Sequence, residues 1–275
     1  MDIKEITSRQ NATVMWASSL SEKKYREKHQ AFLAEGWKLV EEALASRLPV
    51  THIFIASGKK DEILAKLSLD DLSAWENPPD VFLLSDACFE KISTEKAPQG
   101  VIAAIKYLDF FKRIDKIKGE DVSSRALALS SVRDPGNLGA IIRSAVAFGT
   151  KTVLLSSDSA DVYHPRVLRA AMGSIFKISV LILENEVDAI LSLRQTGRRF
   201  YAAELRENAK PLSSLSLQSG DVFVIGNEGH GISSEVSAVC DGSVYIPINP
   251  GVESLNASVA ASVLLWEQAK AEKES

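Results

Sequence analysis

Cysteine, histidine and long apolar runs are scarce in this sequence, and each scarcity argues against a class of protein. Its two cysteines, Cys88 and Cys240, are far apart and form no CxxC pair, so we predict two reduced thiols rather than a disulfide or a catalytic cysteine. The four histidines are scattered without HExxH spacing, which predicts no metal site. No apolar run approaches the roughly 18 residues of a membrane span, and the polar start resembles no signal peptide. These features predict a cytoplasmic protein with no membrane partner.

An overall excess of positive charge is also lacking, since the net charge is −4. The charge of the whole chain therefore carries no nucleic-acid signature. Basic residues nevertheless cluster in three places, namely Lys4, Arg9, Lys23, Lys24, Arg26, Lys28 and Lys38; His164, Arg166, Arg169 and Lys177; and Arg194, Arg198 and Arg199. A solvated helix face explains any one cluster, whereas three clusters in an acidic chain favour a local surface for a polyanion.

The most frequent pattern along the chain is the alternation of apolar strands with amphipathic helices. Residues 20–46 show a helical pattern broken near Glu35 and Gly36, and strands are predicted at 50–57, 80–85 and 100–107. A charged, irregular segment, residues 108–124, is predicted to link this first domain, residues 1–107, to a second, residues 125–275. From residue 126 the alternation is regular, which predicts an α/β domain with a mostly parallel sheet and helices on both faces.

Three polar loops follow or join apolar segments of the second domain. They read SVRDPGNLGAIIR (131–143), VIGNEGHGIS (224–233) and PGVESLN (250–256). Ligands of open parallel sheets collect where such loops meet, at the carboxyl ends of the strands. The glycines of the second loop allow a tight turn or a close ligand, but their spacing matches neither a dinucleotide motif nor a Walker motif. Glu228 between them disfavours phosphate and suits a cationic or hydroxyl-bearing ligand.

Individual polar residues of these loops have two interpretations each. Asn137 is a suitable N-cap for the helix that follows, and Ser254 or Asn256 could cap the last helix. Arg143, inside a largely apolar helix, needs a partner or access to a cleft. The last helix is predicted to bury a stripe made of Leu255, Val259, Val263 and Trp266.

The three loops, in this order, resemble the motifs of the SpoU-type (TrmH-like) RNA ribose 2′-O-methyltransferases. The first resembles D-P-x-N-x-G-x-x-x-R, with Asn137 and Arg143; the second resembles G-x-E-G-x-G, from Gly226 to Gly231; the third resembles I-P-x(5)-E-S-L-N, from Ile246 to Asn256. The segment HPRVLRAAMGSIFKISV, starting at His164, is also similar to the family. The first hundred residues are more loosely similar to its RNA-binding domain, whose fold is akin to a small ribosomal protein. One departure is Pro250 at a place where the family usually has glycine.

The resemblance implies a trefoil knot, a homodimer through the second domain, and S-adenosylmethionine as cofactor without a metal. It implies two sets of site residues: catalytic Asn137, Arg143, Glu228, Ser254 and Asn256, and cofactor-binding Gly226, Gly231, Ile246 and Leu255. The basic clusters add the predicted RNA-binding residues Arg9, Lys23, Lys24, Arg26 and Arg169. The role of Arg143 stays open, because a guanidinium with a pKa above about 12 suits an anion better than it suits a base.

The predicted activity is therefore methyl transfer from S-adenosylmethionine to a ribose 2′-oxygen of RNA, with ribosomal RNA as the expected substrate. Two alternatives stay open: the same reaction on transfer RNA, and a catalytically silent RNA-binding protein of the same fold. The full set of Asn137, Arg143, Glu228, Ser254 and Asn256 argues against silence, since a passive binder would not need it.

Overall fold

Eleven helices and thirteen strands are assigned in this computed structural model, which describes residues 2–123, 125–218 and 220–274, with side chains as far as Ala271. The helices are α1 (Ala12–Ser19), α2 (Lys23–His29), α3 (Trp37–Ala45), α4 (Lys60–Lys66), α5 (Leu69–Ser73), α6 (Asp86–Ile92), α7 (Pro135–Ala147), α8 (Pro165–Ala171), α9 (Glu186–Arg194), α10 (Ser234–Ala238) and α11 (Ala257–Glu274). The strands are β1 (Ile3–Ile6), β2 (Ala31–Glu35), β3 (Val50–Ala56), β4 (Asp80–Leu84), β5 (Val101–Lys106), β6 (Phe111–Ile114), β7 (Ala126–Leu129), β8 (Thr152–Ser156), β9 (Ser179–Leu183), β10 (Phe200–Ala203), β11 (Lys210–Pro211), β12 (Val222–Ile225) and β13 (Gly242–Tyr245).

These elements form two compact units. Unit 1 consists of Met1–Leu108 and Tyr163–Phe176, and unit 2 of Asp109–Val162 and Lys177–Ser275. Each unit has its own sheet. The two units divide the chain differently from the predicted domains, because residues 163–176 lie within the predicted second domain and pack in unit 1.

Unit 1 contains a mixed sheet with the strand order β1-β4-β3-β5-β2. β1, β4 and β3 are parallel, and β5 is antiparallel to both β3 and β2. The predicted strands at 50–57, 80–85 and 100–107 are confirmed as β3, β4 and β5. The helix predicted over 20–46 is wrong in its middle, because AFLAE forms β2 and pairs Phe32 with Ile105 of β5.

The segment 163–176 is held in unit 1 by aromatic contacts. The ring of Tyr163 stacks on Tyr107 with centroids 4.1 Å apart and lies 4.7 Å from the ring of Phe32. Its hydroxyl accepts a hydrogen bond from the backbone N–H of Leu108 at 2.9 Å. Helix α8 continues this packing against β2. Burial of large aromatic surfaces gives the segment a strong reason to pack with this core.

Unit 2 contains an eight-stranded sheet in the order β11-β13-β10-β12-β7-β8-β9-β6, and every strand pair in it is parallel. This confirms the predicted parallel α/β architecture. β7, β8 and β12 are buried along their whole length, as expected for strands covered by helices. The segment predicted as a linker, residues 108–124, contains β6, in which Phe111 pairs with Val180 of β9.

Two helices pack together beside this sheet and carry residues of the site. α11 packs along α7 and also against β12, and the Ser144 and Ser262 hydroxyls meet at 2.8 Å between the two helices. The predicted buried stripe of α11 is wrong, since Val259 and Trp266 are 48% and 55% exposed. The face that is buried consists of Ala257, Ala261, Leu264, Leu265 and Gln268. Apolar residues at helical spacing thus lie on both faces of α11.

Candidate active site

Three polar side chains from separate parts of unit 2 form one hydrogen-bonded chain. Asn137 Nδ2 donates a short hydrogen bond to Glu228 Oε1, and Asn137 Oδ1 accepts from Asn256 Nδ2 at 3.0 Å. Asn137 belongs to α7, Glu228 follows β12, and Asn256 precedes α11. Residues from all three predicted loops therefore meet, and Asn137 bridges the other two. We call Glu228, Asn137 and Asn256 the polar triad.

Asn137 is free to bridge because it is not the N-cap of α7. The N-cap is Asp134, whose Oδ1 accepts from the backbone N–H of Asn137 at 2.8 Å, and Pro135 follows at the first helical position. Pro at this position and Asp at the cap both favour a helix start. The capping role predicted for Asn137 is therefore wrong, and its amide points to Glu228 and Asn256 instead.

Asn256, by contrast, both caps its helix, as predicted, and bonds another predicted catalytic residue. Its Oδ1 accepts from the backbone N–H of Ser258 at 2.9 Å, which caps the first turn of α11, while its Nδ2 reaches Asn137. The start of α11 and the polar triad are thus fixed by the same side chain. In the part of the chain that the structure describes, the two remaining predicted catalytic residues, Ser254 and Arg143, make no hydrogen bond to the triad. Ser254 is exposed, and Arg143 is exposed on α7, its guanidinium making no hydrogen bond or ion pair with any residue that the structure describes.

The loop after β12 is a closed turn that brings Glu228 to its position. Asn227 and Gly231 exchange backbone hydrogen bonds of 3.0 and 2.9 Å, and Asn227 Oδ1 accepts from the N–H of Gly229 at 2.8 Å. A Cβ on Gly226 would lie 2.4 Å from the carbonyl carbon of Gly231. Gly226 is thus required by the backbone of its own loop, which is the tight-turn alternative of the two that the sequence offered.

A cavity of about 720 Å³ opens beside the polar triad and is built within unit 2. Six predicted site residues line it, namely Gly226, Glu228, Gly231, Ile246, Ser254 and Leu255. Residues from the ends of β10, β12 and β13 line it too. The site thus lies where ligands bind in open parallel sheets, at the carboxyl ends of the strands.

The cavity has further lining residues that the sequence analysis missed. Leu205, Ile248 and Val252 line it with exposed fractions of 80%, 37% and 51%. Exposed apolar side chains around one concave site are typical of a surface that a ligand covers. Glu204, at the end of β10, also lines the cavity, and its carboxylate accepts from the hydroxyls of Ser237 and Ser243. Glu204 and Leu205 directly follow strand β10, and this position at the carboxyl end of a parallel strand would have indicated them in the sequence.

The predicted RNA-binding residues of unit 1 do not share one environment. Arg26 is 2% exposed, and its Nη1 donates to the carbonyls of Leu20 and Ser21 at 2.9 and 2.7 Å. It therefore stabilises a turn and is removed from the predicted RNA-binding set. Arg9, Lys23 and Lys24 are exposed, and the two lysines pair with Glu27 and Glu22 respectively.

Arg169 and the third basic cluster make ion pairs and hydrogen bonds within their own units. The Arg169 guanidinium contacts the carboxylate of Glu95 and donates to the hydroxyl of Thr94 at 2.8 Å.

In unit 2, Arg199 forms a two-pronged pair with the buried carboxylate of Asp221 at 2.8 and 2.6 Å. Arg194 pairs with Asp241 at 2.5 Å, and Arg198 donates to the carbonyl of Val122 at 2.7 Å. This third cluster is therefore a set of structural contacts, and the surface predicted for a polyanion is reduced accordingly.

Both cysteines are free thiols in the structure, as predicted. Burial raises the pKa of the Cys240 thiol to about 12, and the neighbouring carboxylates of Glu204 and Asp241 act in the same direction. A thiol with so high a pKa is protonated at neutral pH and is a poor nucleophile.

Across the described part of the chain, no three His, Cys, Asp or Glu side chains are grouped as they would be around a metal ion. No helix in those same residues is long and apolar enough to cross a membrane.

Comparison with known proteins gives matches over both parts of the chain. The model of the SpoU rRNA Methylase family matches residues 124–266, and that of the MRM3-like substrate binding domain matches residues 11–103. The Bacillus subtilis protein named 23S rRNA (guanosine(2553)-2'-O)-methyltransferase RlmP is 32% identical over 96% of this chain and 98% of its own. An AdoMet-bound rRNA methyltransferase from Sinorhizobium meliloti has a TM-score of 0.81 at 27% identity, covering 98% of both chains. A putative RNA methyltransferase of the TrmH family from Porphyromonas gingivalis has a TM-score of 0.77 at 31% identity, covering 95% and 98%.

Proposed function

This chain belongs to the SpoU family of RNA methyltransferases, and we propose that it transfers a methyl group from S-adenosylmethionine to a ribose 2′-oxygen of ribosomal RNA. The observation that carries the proposal is the polar triad, because its Glu228 also lines the cavity. A methyl donor in the cavity and a ribose at the triad would be neighbours. A relative named as a 23S rRNA 2′-O-methyltransferase supports the choice of oxygen and of RNA.

The cavity fits a ligand of mixed character such as S-adenosylmethionine. Leu205, Ile248 and Val252 offer apolar surface, which an adenine base would cover. Backbone groups of the turn from Gly226 to Gly231 and of the segment at Ile246 and Leu255 provide polar contacts. When bound, the cofactor supplies an activated methyl group on a sulfonium. A relative crystallised with AdoMet has the same fold over nearly the whole chain, which supports this assignment.

The residues of the polar triad then orient the ribose and help to remove its proton. Glu228 Oε1 is used by Asn137, while no described residue bonds Oε2, which is free to accept the hydrogen of a 2′-hydroxyl. Asn137 and Asn256 fix the position of that carboxylate, so the hydroxyl oxygen is held at a defined distance from the donor. Ser254, exposed on the cavity wall, offers a second hydroxyl contact for the ribose.

Arg143 is assigned to the RNA rather than to proton transfer. A guanidinium keeps its proton at neutral pH, and its planar fork matches a phosphate. The side chain is exposed and lies six residues after Asn137, which places it about 240° further around α7. Arg143 and Asn137 therefore lie on different faces of α7.

This orientation favours a homodimer in unit 2. α7 and α11 pack together and expose Arg143, Val259 and Trp266, and the ring of Trp266 lies 5.8 Å from that of Phe148. A second copy covering this face would bury both apolar side chains, which a water-exposed helix has no reason to carry together. It would also place each Arg143 near groups of the other subunit.

Unit 1 is assigned to RNA binding, with residues 1–107 as the predicted domain. The matching substrate binding domain model supports this role. Arg9, Lys23 and Lys24 are the exposed cations proposed to meet phosphates, so binding should weaken as salt is added. The protein would act where ribosomal RNA is assembled, in the cytoplasm.

Mapping ribose methylation in total RNA tests the proposal. RNA from cells with and without the gene is compared position by position for 2′-O-methyl groups. One ribosomal RNA nucleotide should lose its methyl group in the deletion strain and regain it with the intact gene, but not with a variant carrying Asn137→Ala. Loss of a methyl group from a transfer RNA nucleotide would make transfer RNA the substrate. Loss of a methyl group from a base would refute the assignment of the ribose 2′-oxygen as the methylated atom. An unchanged methylation map would favour a silent RNA-binding protein.

A further inference from the structure

The loop between β7 and α7, residues 130–134, decides where Asn137 lies. It leads directly into the N-cap Asp134, and Asn137 is only three residues further on. A shift of this loop would move the first turn of α7 and with it the side chain that bridges Glu228 and Asn256. The groups that hold the loop therefore control the geometry of the polar triad.

Within this loop, Ser131 adopts a backbone conformation that needs support. Its φ is +56°, in the left-handed region that a non-glycine residue rarely occupies. Such conformations persist where surrounding contacts hold them, and they are frequent near active sites. All its polar groups are bonded: the N–H donates to Ser156 Oγ at 2.8 Å, the carbonyl accepts from Asn227 Nδ2 at 2.9 Å, and the hydroxyl donates to Asp158 Oδ2 at 2.7 Å.

Asp158 is the centre of these contacts. Its Oδ2 accepts from Ser131 Oγ and also from Arg133 Nη2 at 2.9 Å, and its Oδ1 accepts from Ser156 Oγ at 2.8 Å. The carboxylate thus holds two side chains of the loop directly. Through Ser156 it also supports the hydroxyl that receives the Ser131 N–H. Partial burial alone would raise the pKa of Asp158, but the hydrogen bonds from Ser131, Arg133 and Ser156 outweigh it and lower the pKa.

We infer that Asp158 is a positioning residue for methyl transfer: it holds Ser131 and Arg133 so that α7 presents Asn137 to Glu228 and Asn256. This inference rests on the proposed role of the polar triad. Asp158 does not line the cavity and touches no triad residue, so its effect passes through the loop. The same loop carbonyl, that of Ser131, is bonded by Asn227, the neighbour of Glu228. The loops that carry Asn137 and Glu228 are therefore fixed to each other.

Replacement of Asp158 is expected to be tolerated by the fold. Its side chain is 45% exposed, so Asp158→Asn leaves no buried cavity and no buried charge. An amide has one acceptor oxygen instead of two and no negative charge, so it cannot accept from Ser131, Arg133 and Ser156 together and loses the ion pair with Arg133. The matched control is Glu184→Gln, which neutralises another exposed carboxylate of unit 2, paired with Arg113. Glu184 contacts neither the loop nor the cavity.

The test measures single-turnover transfer of tritiated methyl groups to ribosomal RNA from a strain lacking the gene. At saturating cofactor, Asp158→Asn should slow transfer by about 10- to 100-fold, the loss expected when a reacting group is displaced by about 1 Å. Calorimetry should give an unchanged S-adenosylmethionine affinity, and the KM for RNA should also stay the same. Ser131→Ala, which removes a single contact, should lower the rate less, and Glu184→Gln should leave it unchanged.

Hydrogen exchange of the backbone gives a readout that needs no substrate. Peptides covering residues 130–140 should exchange faster in Asp158→Asn than in the parent, while peptides of β7 and β12 should not. An unchanged rate of transfer together with unchanged exchange would overturn the inference. So would a loss of cofactor affinity with a normal rate at saturation, because Asp158 would then act on the cavity. If Asp158→Asn fails to fold, Ser131→Ala decides by the same criteria. Failure of the parent protein to methylate the RNA would refute the proposed substrate, and the exchange result would still decide the role of Asp158.

Discussion

Gly226→Ala should disable the cavity proposed to bind the cofactor, and the structure indicates how large the steric clash would be. A Cβ at this position would lie 2.4, 2.5 and 2.6 Å from three backbone atoms of Gly231 and Ile232. Ordinary contact begins at 3.4 Å, so the two sides of the turn must separate by about 1 Å. No flexible side chain can move away, because every atom in the way belongs to the backbone.

This separation breaks the closed turn that presents Glu228. The paired hydrogen bonds between Asn227 and Gly231, now 3.0 and 2.9 Å long, would exceed the usual range after such a shift. Forcing an extra carbon into a packed site costs about 1–3 kcal/mol in the free energy of unfolding. We expect S-adenosylmethionine affinity to fall by at least about tenfold, which corresponds to about 1.4 kcal/mol. Single-turnover transfer should fall by about a hundredfold even at saturating cofactor, since Glu228 moves with the turn.

Titration calorimetry and single-turnover methylation measure the two effects separately. The matched control in the same turn is Gly229→Ala, whose Cβ would lie 3.5 Å from Asn227 Oδ1 in ordinary contact. That variant should keep most of its cofactor affinity. Parent-like affinity in Gly226→Ala would refute the steric argument, and an equal loss in Gly229→Ala would show that the turn tolerates no side chain anywhere.

Three further predictions follow from single residues. Arg143→Ala should slow single-turnover transfer by about 10²- to 10³-fold with unchanged cofactor affinity, and Arg143→Lys should fall within about tenfold of it, because an ammonium lacks the planar fork; a near-normal rate of the alanine variant would exclude Arg143 from the site. Arg26→Met should lower the free energy of unfolding, measured in urea, by about 1–3 kcal/mol, because two carbonyls lose their donor. Lys24→Met, on the exposed surface, should instead weaken RNA binding only. The opposite pattern would restore Arg26 to the RNA-binding surface. Burial lowers the pKa of His52, so the unfolded chain binds more protons and stability should fall as the pH drops below about 6.5; His52→Gln should flatten that dependence between pH 5 and 7, and an unchanged slope would assign it to other groups.

The parts of the site predicted from sequence are those where local pattern and function coincide. Apolar strands followed by polar, glycine-containing loops placed Gly226, Glu228 and Gly231 at the carboxyl ends of a parallel sheet, and the structure has them there. The bridge made by Asn137 could not be predicted in the same way. Asn137 lies 91 positions from Glu228 and 119 positions from Asn256 in the sequence. Hydrophobic periodicity carries no information about contacts over such separations.

The errors also have physical reasons. AFLAE is composed largely of good helix formers, and only its pairing with β5 makes it a strand. Arg26 looks like a surface cation in sequence, whereas its buried guanidinium donates through Nη1 to two carbonyls of a nearby turn. In α11 apolar residues occupy two faces, and the sequence does not say which face meets the sheet. The pattern therefore predicts a core position for Val259 and Trp266, whereas both side chains are exposed.

The return of residues 163–176 to unit 1 has a consequence for the order of events on the ribosome. The first part of that unit ends at Leu108, and its last part ends at Phe176, so a further 68 residues (176 minus 108) must be synthesised before its core is complete. At about 5–20 residues per second, this takes roughly 3–14 seconds. For the first 55 of these residues (163 minus 108), Phe32 and Tyr107 lack the ring of Tyr163 that later covers them. The nascent chain therefore exposes an aromatic surface that a chaperone could recognise. Residues 163–176, which lie within the methyltransferase part of the sequence, later cover this surface.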